Sequence, residues 1–110
     1  MKRYEMIKDK NLFNQIIKNS HYKKNNLFVV YISPNDEEKL KFGIAISKKT
    51  GKAVLRNKLK RQTRAIIDNN RNLFKNANNY IIMIRRNCKD STFEDMNKAL
   101  QSLMKEIKVK

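Results

Sequence analysis

The 110-residue chain has no tryptophan, one proline, two glycines and one cysteine. Collagen-like, Pro-rich and Gly-rich linker readings therefore fail on composition. Cys88 alone permits no internal disulfide, and with His21 as the single histidine a Cys/His zinc cluster or a His-dependent triad lacks its partners. Long apolar runs are missing too: residues 27–32 and 80–84 fall far short of the roughly 20 residues a membrane span needs. The opening Met1-Lys2-Arg3-Tyr4-Glu5 is charged and no apolar stretch follows, so no secretory signal is expected. Acids are the last scarcity, 10 Asp+Glu against 26 Lys+Arg, for a formal net charge of +16. What remains, about 40% hydrophobic, suffices for one core. We expect a single cytoplasmic domain over residues 1–110.

Sixteen surplus positive charges repel one another in a compact fold, so a polyanionic partner is the first inference. Nucleic acid is the leading candidate, because neutralising phosphates releases counterions. An anionic membrane would call for an amphipathic helix with bulky apolar anchors opposite its charges. The bland alternative is a Lys-rich, Asn-rich composition with a solvated surface. Distribution argues against it: between Lys39 and Ile67 there are ten basic residues and no acidic one. Acids gather instead at Asp36-Glu37-Glu38 and at Asp90, Glu94 and Asp95.

Local patterns give a coarse map. Asp9 precedes Leu12, Phe13, Ile16 and Ile17, the stripe of a short amphipathic helix that ends at Asn19-Ser20. Residues 27–32 are rich in β-branched and aromatic side chains and stop at a turn, Ser33-Pro34-Asn35-Asp36. Residues 40–47 read as a second strand, and the two suggest an antiparallel hairpin. A basic loop, Lys48-Lys49-Thr50-Gly51-Lys52, leads into a helix from Ala53 to about Asp68. Residues 80–84 form a continuously apolar strand, as expected when both faces are covered. Ser91-Thr92-Phe93-Glu94 has the form of a capping box. It opens a helix carrying Phe93, Met96, Leu100, Leu103, Met104 and Ile107 at helical spacing. The order predicts an α/β sandwich around one small sheet.

On a wheel with Arg56 at zero, Lys60, Arg64, Asn57 and Arg61 fall at roughly 40°, 80°, 100° and 140°. Leu55, Leu59 and Ile66 fall between roughly 260° and 300°. One face is apolar, while the other holds four cations and an amide with no interspersed acid. Like charges at i, i+4 cost helix stability, so this sequence accepts a local penalty there. Arginines give forked contacts to phosphate, and an amide can bond a sugar or base edge. A P-loop reading fails because Thr50-Gly51-Lys52 lacks the required glycine frame. A DNA recognition helix would normally follow another helix, not a strand.

Residues 43–64, Gly-Ile-Ala-Ile-Ser-Lys-Lys-Thr-Gly-Lys-Ala-Val-Leu-Arg-Asn-Lys-Leu-Lys-Arg-Gln-Thr-Arg, resemble the signature region of the bacterial ribonuclease P protein component. That family carries a strand ending in S-K-K, then G-x-A-V, then an R-N-R that opens a run of Lys and Arg along a helix. This chain departs at Lys58, which preserves charge and sits at roughly 200°, on the border of the basic face. The likeness covers nearly the whole chain.

The resemblance implies a ribosomal S5 domain 2-like fold in the order αβββαβα, with a small mixed sheet and a left-handed βαβ crossover through the arginine helix. It adds a strand near His21-Tyr22 that pattern alone does not mark. It implies a protein that assists a catalytic RNA in removing the 5′ leader of precursor tRNA. The RNA would carry the hydrolysis with Mg²⁺, with no catalytic or metal-ligating protein residue. Arg56, Asn57, Lys58, Lys60, Arg61 and Arg64, with Lys48, Lys49 and Lys52, match positions that touch the RNA subunit. Phe13 and Tyr31 match aromatic positions of a leader cleft that Lys60 and Arg64 border, and Ile17 stands where the family often has a second aromatic. The partners implied are the RNA subunit and precursor tRNA, with one protein per RNA, monomeric alone, and no membrane. The rival from another class is a general RNA-binding or ribosome-associated protein without a role in tRNA processing. A DNA-binding regulator is poorer, since nothing suggests paired recognition helices.

Overall fold

The computed structural model describes residues 6–107; Met1–Glu5 and residues 108–110, the ends of the expected domain, lie outside it. Helix α1 spans Lys10–Asn19 and begins as expected: the Asp9 carboxylate accepts hydrogen bonds from the Asn11 and Leu12 amides. Strands β1 (His21–Lys24) and β2 (Phe28–Pro34) follow, then β3 (Leu40–Ile46), helix α2 (Ala53–Asn69), strand β4 (Asn78–Ile84) and helix α3 (Phe93–Glu106). The order is αβββαβα.

One expectation fails in the sheet. Its strand order is β1-β2-β4-β3, so β2 and β3 are not a hairpin. Strand β4 lies between them, antiparallel to β2 and parallel to β3. The turn after β2 arches over the start of β4. The Asn35 amide donates to Ala77 O, the Ala77 amide to Lys39 O, and the Asn35 side chain to Asn79 Oδ1. An alternating pattern says which residues share a face, not which strand is the neighbour. The apolar continuity of β4 did indicate cover on both faces: Tyr80, Ile81, Ile82 and Ile84 are at most 1% exposed.

Register separates two faces. Phe28, Val30, Phe42, Tyr80, Ile82 and Ile84 point into the main core and meet Leu59, Ile66 and Ile67 of α2 and Met96, Leu100, Leu103 and Met104 of α3. Phe74 lies edge-on to both Phe42 and Tyr80, with ring centroids 5.0 Å apart in each pair. A buried amide network fastens the two helices: Asn70 donates to Ile66 O and Asn97 Oδ1 and accepts from Gln101 at 2.6 Å. Helix α3 has its capping box one residue later than predicted. Thr92 accepts from the Asp95 amide, and the Asp95 carboxylate accepts from the Thr92 amide. Ser91 and Thr92 are both good caps and Glu94 and Asp95 both acids, so the sequence supports either frame. The Ile7 amide donates to Phe42 O at 2.7 Å, laying chain along the open edge of β3.

Candidate nucleic-acid interface

The basic loop is built locally. Ser47 Oγ accepts from the Lys49 amide, a single 3-10 turn covers Lys48–Thr50, and Gly51 takes φ 156°, which L side chains rarely adopt. Lys48, Lys49 and Lys52 are all exposed. Lys52 occupies the N-cap of α2 with no side-chain cap hydrogen bond, so that positive helix end is surrounded by cations.

Helix α2 buries Leu59, Thr63, Ile66 and Ile67. Thr63 satisfies its hydroxyl on Leu59 O at 2.8 Å, which lets a polar residue sit in the core. Thr63 and Ile67 widen the buried sector to roughly 260–20° on the wheel. Arg56, at zero, therefore lies just inside that sector and is half-buried, with Nε out of solvent and without a hydrogen-bond partner among the described residues. Lys60 is half-buried as well, while Asn57, Lys58, Arg61 and Arg64 are exposed. Among the described residues the ion pairs are Lys41–Glu37, Arg71–Asp68 and Lys98–Glu94, and none involves this basic face. Among the described residues, no acid pairs with its charge.

On the other face of the sheet, α1 starts over β3 and its end feeds directly into β1. The Phe13 ring rests on Gly43: a Cβ there would lie 2.6 Å from Phe13 Cε2 and 3.3 Å from Ile81 Cγ1. Cross-strand register continues that row through Gly43, Ile81, Tyr31 and Tyr22. Tyr31 and Ile17 are half-buried, and the Tyr22 and Tyr31 rings lie 5.5 Å apart. The next row is Ala45, Met83, Val29 and Lys24. It opens into a depression of about 620 Å³ lined by Val29, Met83, Ser47, Lys49, Thr50, Arg85, Arg86, Asn87, Lys89 and Asp90. Thr50 is 2% exposed, and its Oγ1 has no hydrogen-bond partner among the described residues.

Phe13, Ile17 and Tyr31 thus share the α1 side of the sheet, whereas Lys60 and Arg64 ride on α2, across the sheet from them. The loop of Lys48, Lys49 and Lys52 is where the two surfaces meet, because Lys49 lines the depression directly before α2 begins. Pattern reading missed Arg85, Arg86 and Lys89; the pair of arginines directly after an apolar strand was the available signal. His21 is an exposed residue of β1, the strand the resemblance implied. Cys88 is fully buried and donates its thiol to Leu27 O at 3.2 Å, and burial pushes its pKa up to about 11. Such a thiol is inert at neutral pH.

The family model for ribonuclease P matches residues 1–108. The chain belongs to the bacterial ribonuclease P protein family. Ribonuclease P protein components from Mycoplasma mycoides subsp. mycoides and Bacillus pumilus are 38% and 34% identical to it, over 98% and 96% of this chain and 100% and 89% of theirs. Among solved structures, the ribonuclease P protein of Staphylococcus aureus matches with a TM-score of 0.87 at 36% identity, covering 96% of each chain. That of Thermotoga maritima gives a TM-score of 0.85 at 28% identity, over 96% of this chain and 99% of that one. The small mixed sheet with three helices is the fold of those ribonuclease P proteins. Membership makes the chain a subunit of the endoribonuclease that processes tRNA 5′ leaders. Among the described residues, no helix is long and apolar enough to cross a membrane.

Proposed function

We propose that this subunit holds the catalytic RNA on the exposed side of α2 and guides the precursor tRNA leader across the opposite sheet face. Arg56, Asn57, Lys58, Lys60, Arg61 and Arg64, with Lys48, Lys49 and Lys52, supply the contacts to the RNA subunit. Phe13, Tyr31 and Ile17 form the floor and wall of the leader groove. Lys60 and Arg64 stay on the α2 side with the RNA subunit, and the cations that line the groove's far end are Lys49, Arg85, Arg86 and Lys89. The observation that carries this reading is the aromatic row lying beside a cation-lined depression on the same face of the sheet. A single strand needs stacking platforms and a positive track for its phosphates, with little base-edge readout.

The chemistry belongs to the RNA subunit and its Mg²⁺. Among the described residues, Asp90 is the single carboxylate lining the depression, beside Lys49, Arg85, Arg86 and Lys89. Mg²⁺ favours oxygen ligands and carboxylates, so this donor set does not fit an ion held by the protein. We assign one protein per RNA, a monomeric free protein, and assembly in the cytoplasm.

The test compares affinity of the reconstituted holoenzyme for precursor and mature tRNA. Phe13→Ala should weaken the precursor complex by about 1–3 kcal/mol, the worth of one stacked base, and leave mature tRNA unchanged. Equal losses for both would defeat the groove assignment and favour general RNA binding.

A further inference from the structure

We propose that Tyr22 is a second stacking residue for the unpaired leader, extending the groove to the outer edge of the sheet. The inference rests on the leader-groove reading and goes beyond it. No resemblance assigns Tyr22, which stands in a four-residue strand whose residues are all exposed.

Three observations point to it. Tyr22 is 54% exposed, one of three large exposed apolar side chains on the described surface. It pairs across the strands with Tyr31, so both rings stand on the sheet face that carries Phe13, and their centroids lie 5.5 Å apart at 42°. Among the described residues no hydrogen bond engages its hydroxyl, so neither burial nor a polar partner there explains the ring. Together Tyr31 and Tyr22 make a two-ring platform with an open outer side. Lys24, on the same face and the next row, offers a cation for a phosphate beside that platform.

The geometry also addresses an anomaly of this chain. Ile17, one turn along α1 from Phe13, offers no π-face where the ribonuclease P family often has a second aromatic. From Gly43, beneath Phe13, to Tyr22 the row spans three strand spacings, roughly 14 Å. That is the length of about four stacked nucleotides. A leader crossing the row would leave Phe13 at one end and meet the tyrosine pair at the other. The tyrosine pair thus supplies from the sheet the ring that α1 lacks.

The experiment uses the protein assembled with a bacterial ribonuclease P RNA, and compares binding of mature tRNA with that of a precursor whose leader is about eight nucleotides long. Tyr22→Ala and Tyr22→Leu should each weaken the precursor complex about 5- to 10-fold, Tyr22→Phe should stay within about twofold, and mature tRNA should be unaffected. Leu still covers Tyr31, so its loss reports the ring and not the fold. Because the chain has no tryptophan, Tyr22→Trp installs a unique fluorophore, whose emission should be quenched by the precursor complex and not by the mature one. If Phe13→Ala discriminates precursor from mature tRNA while Tyr22→Ala and Tyr22→Leu do not, this proposal falls and the groove stands. If no variant discriminates, both fall. If the Tyr22 variants weaken both tRNAs alike, the ring serves assembly and the proposal is overturned.

Discussion

Gly43 is the position where sheet, helix α1 and groove meet, and Gly43→Ala tests that contact quantitatively. Its backbone is ordinary extended strand, so alanine is not excluded by conformation. The obstacle is Phe13: the new Cβ would sit 2.6 Å from Cε2 and 3.1 Å from Cδ2. Optimal carbon–carbon separation is about 3.5–4.0 Å, so the ring must retreat by roughly 1 Å. Overpacking of this kind costs about 1–3 kcal/mol. The half-buried ring can swing toward solvent, which places the expected loss at about 1–2 kcal/mol. In a Phe13→Ala background the obstacle is gone and Ile81 Cγ1, at 3.3 Å, is the remaining close neighbour. There the substitution gains the usual entropic advantage of alanine over glycine, about 0.5 kcal/mol. A four-protein urea series followed by circular dichroism reads both terms. Gly43→Ala should lower the midpoint by about 0.5–1 M in the parent and leave it level or raised beside Phe13→Ala. Equal losses in both backgrounds would refute the stacking of Phe13 on Gly43.

Two further predictions concern stability away from the groove. Ala77 takes φ 65° where the loop crosses the start of β4; Ala77→Gly should relieve that strain and stabilise the protein by about 0.5–1 kcal/mol in urea melts, and a destabilisation would contradict the backbone described. The Cys88 thiol is raised from an ordinary 9.0 to about 11 by burial. The folded state thus keeps its proton where the unfolded chain loses it, so this contribution is intact below about pH 9 and lost as pH climbs to 11, roughly 2–3 kcal/mol in all. Cys88→Ala should flatten that part of the stability–pH curve, and native Cys88 should resist alkylation at pH 8; prompt alkylation of the folded protein would contradict its burial.

Legibility in the sequence follows from how local each determinant is. The cap at Asp9, the amphipathic stripes of α1 and α3 and the acid-free run into α2 are written in neighbouring residues, and all appear where expected. Strand β4 was recognisable as covered on both faces because no charged or amide residue interrupts residues 80–84. The partner of β2 was not recognisable, because insertion of β4 depends on residues more than forty positions away. Strand β1 carried no signal at all, since His-Tyr-Lys-Lys has no buried face to alternate with. On α2 the wheel located the cations, yet Thr63 looked polar and was left out of the apolar face. Its hydroxyl bonds back to Leu59 O, so it is buried and draws Arg56 just inside the buried sector. Lys49 and Arg85–Lys89 meet only because β3 and β4 run parallel, which brings the ends of both strands to one side.

The central claim, that this subunit presents precursor tRNA to a catalytic RNA, is tested most directly by cleavage of a precursor by a bacterial ribonuclease P RNA at low Mg²⁺, with and without the protein. We predict cleavage at the mature 5′ end that depends on the protein and is lost with Arg64→Ala. Tight, salt-dependent RNA binding without any stimulation of cleavage would contradict the account.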